Sequence, residues 1–461
     1  MRMSNACAAV LITALLGTPT FVSSPVFGAE NEEGWVSLCD CKSLKGWRRV
    51  NGTASYVAVN GAIVGTTRAE SPNSFLATTE TYRDFVLEFE VKQDGGPANS
   101  GVQIRSATRP DYNEGRVFGY QVDIDPSERD WSGGVYDEQR RGWLYPGSLN
   151  PVARELYKFG EWNHYRIEAI GTSIRTWING MPVAHLIDPV STEGFIALQI
   201  HSIDSPEQAG WRTSWRNIRI RETDESAPAL ETLFVRNTIP NELNHIEKAQ
   251  GWRLLWDGKT TDGWRGAYRS SFPARGWKIQ QGELILQAGG TGGHIVTDEL
   301  FSAFDLQLEF KLTPGSNSGI MYFVSDRYQA TNNTVIGLEY QLLDDSINPE
   351  FATGTVTSTM LGSLFGLLPR IKMPANVGIA PKIGEWQHAR VVVHLDNRVE
   401  HWLNGIKVLE YVRGSPAYRG RVQEEPVFRM MPQFGEDGHG RILLQDHGTE
   451  VRYRSIKIRG M

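Results

Sequence analysis

FDLQLEFKL, residues 304–312, sets Phe304, Leu306, Leu308, Phe310 and Leu312 at one parity and Asp305, Gln307, Glu309 and Lys311 at the other. Successive side chains of a strand point to opposite faces, so this two-residue period reads as a β-strand with one face on a core. FVLEFEVKQ at 85–93 repeats the pattern, and both stretches run into turn-forming segments, GGPANSG at 95–101 and PGSNSG at 314–319. RTWINGMPV at 175–183 and EHWLNGIKV at 400–408 each hold Asn-Gly between apolar alternations. That dipeptide marks a hairpin, because a type I′ turn needs positive φ at both central residues. No segment keeps a helical period for three turns.

The similarity between these pairs extends along the chain. GWVSLCDCKSLKGW at 34–47 is answered by GWRLLWDGKTTDGW at 251–264, Asn99-Ser100-Gly101 by Asn317-Ser318-Gly319, and GEWNHYRIEA at 160–169 by GEWQHARVVV at 384–393. LQIH at 198–201 pairs with LQDH at 444–447, and WRNIRIRE at 215–222 with YRSIKIRG at 453–460. Solenoid units run about 20 to 50 residues, far shorter than this spacing. The chain therefore reads as two tandem copies of one domain, 30–222 and 251–461, with 223–250 as a linker. Each copy holds many short strands, which two packed antiparallel sheets satisfy best: an all-β chain of two jelly-roll β-sandwiches.

Composition narrows the partners. The 461 residues are 40% apolar and 22% charged with a net charge of −6, so nucleic acid and acidic membranes are poor partners. Residues 1–29 read as a signal peptide: Ala6–Leu16 is an apolar run too short to span a bilayer, followed by small residues that allow cleavage after Gly28 or Ala29. No stretch reaches transmembrane length, and the expected location is periplasmic or extracellular. Cys39 and Cys41, one residue apart, read as two buried thiols, a disulfide across so tight a ring being the alternative. Ser-His-Asp elbows, P-loops, dinucleotide-binding glycines and HExxH zinc spacing are absent.

The series NSG, G-x-x-x-Q, GEWN or GEWQ, WxNG, GRILLQDHG and a final RNI or RSI strand resembles the bacterial 3-keto-disaccharide hydrolase-like family, also described as 3-keto-glucoside 1,2-lyase / 3-keto-2-hydroxy-glucal hydratase. GYQVDIDPSERDWSGGVYDEQRRGWLY at 119–145 carries the resemblance in copy one. Copy two departs there, with TSTMLGSLFGLLP at 357–369 in place of YDEQRRGWLY. The resemblance implies two concanavalin A-like jelly rolls, an oligosaccharide or glycoside substrate oxidised at carbon 3, and a separate sugar 3-oxidoreductase to supply the ketone. No redox cofactor is implied.

A ketone at C3 acidifies the C2 hydrogen, so a base can remove it while the C1 substituent leaves, and water can then add back. The chemistry needs a base, a group to hold the C3 oxyanion, and an acid for the departing oxygen. A divalent metal ion is an alternative holder of the oxyanion, its identity unspecified. Copy one supplies Asp123, Asp125, Arg105, His201, Asp137 and Glu138 as catalytic candidates, with Arg140, Arg141, Trp143 and Tyr145 as substrate-binding ones. Copy two offers Glu339, Gln341, Tyr322 and His447 for binding, and has Phe323 or Val324 near the position of Arg105.

Blander roles stay open. Asp125 precedes Pro126 and suits a turn start; Asp137, Glu138, Arg140 and Arg141 suit a solvated ion network; His201 and His447 suit structural bonds to carbonyls. Trp162, Trp177, Trp386 and Trp402 read as core, whereas Trp131, Trp143 and Tyr145 are placed for sugar stacking. Two other functions compete: a noncatalytic lectin-like sugar-binding protein, and a retaining glucanase using Asp123-x-Asp125-x-x-Glu128.

Overall fold

The computed structural model of the chain describes residues 33–225, 233–290, 292–325, 335–373, 381–431 and 433–461. The expected signal peptide lies outside them. Phe304–Leu312 runs between Val451–Gly460 and Gln387–Val393 within an eight-stranded antiparallel sheet. Phe304, Leu306, Leu308, Phe310 and Leu312 all enter one apolar cluster with Ile320, Tyr322, Leu338, Tyr340 and Leu342 from a facing five-stranded sheet. Two sheets with apolar inner faces interdigitate in this way because each has one hydrophobic side to hide.

The other parity of the strand is not a solvent face. Asp305, Gln307 and Glu309 are buried. Arg390 grips both oxygens of Asp305 at 2.8 Å, and Glu309 takes Arg454 at 2.7 Å and Arg236 at 3.2 Å. Arg236 belongs to the segment expected to be a linker. There Arg236–Asn237 adds a parallel strand to Met181–Ile187, and Asn244 caps the short helix His245–Ala249. Glu247 of that helix pairs with buried Lys457. The described part of the connector is thus packed against both halves.

The first half repeats the plan. A nine-stranded sheet centred on Phe85–Asp94 faces a seven-stranded one. The latter runs, in spatial order, Gly142–Tyr145, Val135–Glu138, Val117–Ile124, Ser100–Thr108, Phe195–Ile200, Ser74–Thr78 and Trp47–Val50. It is strongly curled. Asn51, beside the last strand, bonds Val117 N at 2.7 Å and Gly115 O at 3.0 Å, reaching across the face that is turned away from the core. That face is consequently concave and sheltered. Both Asn-Gly hairpins form as expected, with φ of 50° and 80° at Asn179 and Gly180, and 50° and 81° at Asn404 and Gly405.

Two local readings change. Cys39 and Cys41 are joined by a disulfide, their Cα atoms 4.9 Å apart, with Cys41 at a φ of 50°. Trp162, Trp177, Trp386 and Trp402 are half-buried on outer sheet faces rather than in the core, each beneath a cation; Arg216 lies 4.0 Å from the Trp162 ring and Arg454 4.0 Å from Trp386. Parity explains it: Ile174, Thr176 and Ile178 take the inner positions around Trp177.

Candidate active site on the curled sheet

Along Val117–Ile124, Tyr120, Val122 and Ile124 point into the core, which leaves Gly119, Gln121 and Asp123 on the concave face. Asp123 pairs in register with Gly101, and Gly101 with Gln199 on the other side. Gln103 Nε2 donates to Gln121 Oε1 at 2.8 Å, and Gln121 Nε2 donates to Asp123 Oδ1 at 2.8 Å. A chain of amides therefore ends on the carboxyl. Asn99 Nδ2 lies 3.4 Å from its other oxygen and the Arg129 guanidinium 3.7 Å away. Burial pushes the Asp123 pKa up to about 7, the charge of Asp125 adding to the rise and Arg129 opposing it.

Three more groups share this face. Glu138 accepts from Asn73 Nδ2 at 3.4 Å and Gln139 Nε2 at 3.1 Å, and burial raises its pKa against the pull of nearby His201. His201 Nδ1 lies 2.7 Å from Ser202 O, whose own N–H is held by Asn73. Donation from Nδ1 to that carbonyl leaves Nε2 as the free nitrogen. Tyr136 stands opposite Gln121, and its hydroxyl is raised first by burial and then by Glu138 and Asp123, so it lies within the field of both carboxyls. Gln199 is fully buried, and both atoms of its amide lack a partner. A polar side chain in that state is set up to meet a polar ligand.

The rim is aromatic. Trp143 stands opposite Tyr136, with the ring centroids 5.3 Å apart, and Trp131 packs edge-on against Trp143 at 4.8 Å. Arg129 lies 5.1 Å from each indole.

Of the residues singled out in sequence, Asp123, Glu138, His201 and Trp143 come together here. Arg105 does not. A bulge between Ile104 and Ala107 gives it a φ of 46°, and its side chain runs to Arg83 O, Gly171 O and Asp84 at 2.7, 2.7 and 3.0 Å. Asp125 ends the strand as a turn cap, accepting from Ser127 Oγ and Arg129 Nε at 2.6 Å each. Asp137 alternates with Glu138 and faces inward, where Arg140 and Arg141 hold it; Arg141 continues to Asp188 at 2.7 Å. The carboxylates of that network are buried while Arg141 stays exposed, and the ion pairs hold both arginines with Asp137 on the side of the strand away from Glu138. Tyr145 is also interior, donating to Phe234 O at 3.0 Å.

In the second half Glu339 and Gln341 take the strand positions of Gln121 and Asp123, since Gly319 pairs with Gln341 as Gly101 pairs with Asp123. Tyr322 is interior, bonded to His401 and Tyr411 at 2.8 and 2.7 Å, and His447 is exposed beyond the strand Arg441–Leu444. The segment Gly362–Phe365 lies where Val135–Glu138 lies in the first half: Gly362 N and Phe365 N bond Gln341 O and Glu339 O at 2.8 and 3.0 Å.

The profile of the 3-keto-alpha-glucoside-1,2-lyase-like domain matches residues 34–221 and again 251–459. The chain belongs to this family. A 3-keto-disaccharide hydrolase of Bacteroides thetaiotaomicron is 27% identical over 265 residues, 52% of this chain and 89% of the relative. A crystal structure from Parabacteroides distasonis, its protein assigned as a glycosyl hydrolase, is 28% identical; the match covers 48% of this chain and all of that one, with a TM-score of 0.41. A carbohydrate binding module from Bacillus subtilis is 17% identical, covering 38% of this chain and 96% of its own, with a TM-score of 0.27.

In this member of the 3-keto-glucoside lyase-like family, no three His, Cys, Asp or Glu side chains among the described residues are grouped to hold a metal ion. The donor set at Asp123 is dominated by amides and an arginine, which suit an organic ligand better than a divalent cation. Sequence reading passed over Gln199, Tyr136, Arg129 and Asn73. Gln199 and Tyr136 were within reach, the first in the repeated LQ-x-H and the second by stepping two residues from Glu138. Arg129 and Asn73 come from loops whose paths no periodicity describes.

Proposed function

We propose that the first domain cleaves 3-keto-glycosides by elimination and rehydration, a net hydrolysis. This makes the chain a carbohydrate-active hydrolase, in line with its family and with the hydrolase relative. The observation that carries the reading is Asp123: a buried carboxyl poised near neutral pH, beside an unpartnered Gln199 amide, on a sheltered face rimmed by Trp143. A base with a pKa near the working pH combines ionised form and proton affinity best.

Asp123 takes the C2 proton, and the released electron pair moves into the C2–C3 bond as the C3 carbonyl becomes an enolate. Gln199 Nε2 is the free donor for that oxygen. Collapse of the enolate restores the ketone, forms the C1–C2 double bond and expels the C1 oxygen, to which Glu138, its pKa raised by burial, gives a proton. Water then adds at C1, its released proton going to Glu138, and Asp123, after exchanging its proton with solvent, protonates C2, giving the 3-keto sugar. A glucoside without the ketone has no acidic C2 hydrogen and is left intact. The ketone is made upstream by a sugar-oxidising enzyme, and the N-terminal apolar run directs the chain out of the cytoplasm.

The glucanase alternative needs Glu128 beside Asp123 and Asp125, but Glu128 is exposed in the loop after Ile124, off the strand. The test of the mechanism is turnover of a 3-keto glucoside in heavy water, quenched early. Elimination and rehydration place deuterium at C2 of the released sugar and allow trapping of a 2-hydroxyglucal. Release without C2 deuterium beyond the nonenzymatic rate refutes it.

A further inference from the structure

In the first domain the concave face carries Gln103, Gln121 and Asp123 in hydrogen-bonded series. The second domain answers with Met321, Glu339 and Gln341 at the matching positions, in the same register: Gln103 opposes Gln121, and Met321 opposes Glu339. Acid and amide have changed places, and the donor that served the middle position has become a thioether.

The consequence is an isolated carboxyl. Glu339 is 6% exposed and makes no side-chain hydrogen bond or ion pair among the described residues. It lies flat over Gly319, where an added methyl would come within 2.0 Å of its Oε1. On the far side of Gly319, Gln445 occupies the position of Gln199; its backbone N–H bonds Gly319 O at 3.0 Å, and its buried Oε1 has no partner. Gln341 is turned away, giving its Nε2 to Asn317 at 3.1 Å. A buried polar group left unpaired is costly, so two beside one glycine mark a place that a ligand completes.

We infer that the second domain binds a neutral sugar ring at Gly319, with Glu339 acting as an uncharged hydrogen-bond donor and Gln445 Oε1 as an acceptor. An uncharged acid and an amide together offer donors and acceptors without net charge, which matches vicinal hydroxyls and excludes an anionic sugar. Burial alone lifts the Glu339 pKa to about 8, so the acid is protonated at neutral pH. The site is a binding site separate from the elimination chemistry assigned to the first domain, and it does not depend on that assignment.

The full chain carrying Asp123→Asn is titrated calorimetrically with a methyl glucoside and its 3-keto derivative at pH 7. Glu339→Ala and Gln445→Ala are each expected to lower the number of sugars bound per chain by one, whatever the first domain binds. Glu339→Gln keeps the second site, because an amide also donates without charge. Infrared difference spectra of the same chain should show a protonated-carboxyl C=O stretch that shifts on adding sugar and is missing in Glu339→Gln. A count insensitive to Glu339→Ala and Gln445→Ala overturns the proposal, as does loss of binding in Glu339→Gln. Conversion of a 3-keto glucoside by the unsubstituted chain is scored separately, so either reading can fall alone.

Discussion

Gln121 donates its amide to the carboxyl of Asp123 at 2.8 Å, two residues further along the same strand and on the same concave face. This contact, together with Asn99 and Arg129, favours the ionised form, while burial and the charge of Asp125 favour the neutral one. Their balance brings a carboxyl to the pH at which a base is most useful, and it makes the site sensitive to each contributor.

Asp123→Asn tests the base and the balance together. Turnover of a 3-keto glucoside should fall by about 10²-fold or more, the usual worth of a positioned base. Stability moves the other way. A carboxyl whose folded pKa is about 7 against 3.8 in the unfolded chain binds more protons when folded, so its contribution to stability declines as pH rises from about 4 to about 7. Melting temperatures measured across that window should therefore show the variant gaining on the native chain with pH. A constant difference would mean that Asp123 is not raised.

Arg129→Gln removes the cation that opposes the rise. The acidic limb of the kcat/KM profile should move to higher pH by about half a unit to one unit, with activity recovering when the solution is made more alkaline. An unmoved limb would separate Arg129 from the titrating group.

Arg105 and Asp137 belong to the framework. Asp137→Asn weakens the charged hydrogen bonds that Arg140 and Arg141 make to one buried carboxylate and should cost about 1 to 3 kcal/mol in chemical denaturation. Arg105→Lys breaks the clamp on Arg83, Asp84 and Gly171 and should lower the melting temperature while leaving the pH profile of the folded fraction in place. A shifted profile in Arg105→Lys would return that residue to the chemistry.

The strands and the duplication were legible because alternation and Asn-Gly turns are local signals that both copies carry. The parity of Phe304–Leu312 gives its inner face correctly, yet not what covers its outer face, since Arg236 arrives from the connector. The same limit shaped the site. Asp123 and Glu138 follow from alternation, whereas neighbouring Asp137 and Glu138 fall on opposite faces and only the frame of the strand decides which is which. Arg105 was out of reach, because the bulge that turns it inward is a backbone event at φ 46°, repeated at Phe323 with φ 52°, and the glycines that make room for it, Gly194 and Gly440, lie far away in sequence.

The C3 ketone is what makes a glycoside a substrate. Purified full-length chain is incubated above pH 7 with a 3-keto glucoside and, in parallel, with the unoxidised parent, and the released sugar is followed by mass spectrometry. Release of 3-keto glucose from the first, none from the parent, and none from either with Asp123→Asn is the predicted result. Equal release from both glucosides, or undiminished release by Asp123→Asn, would contradict it.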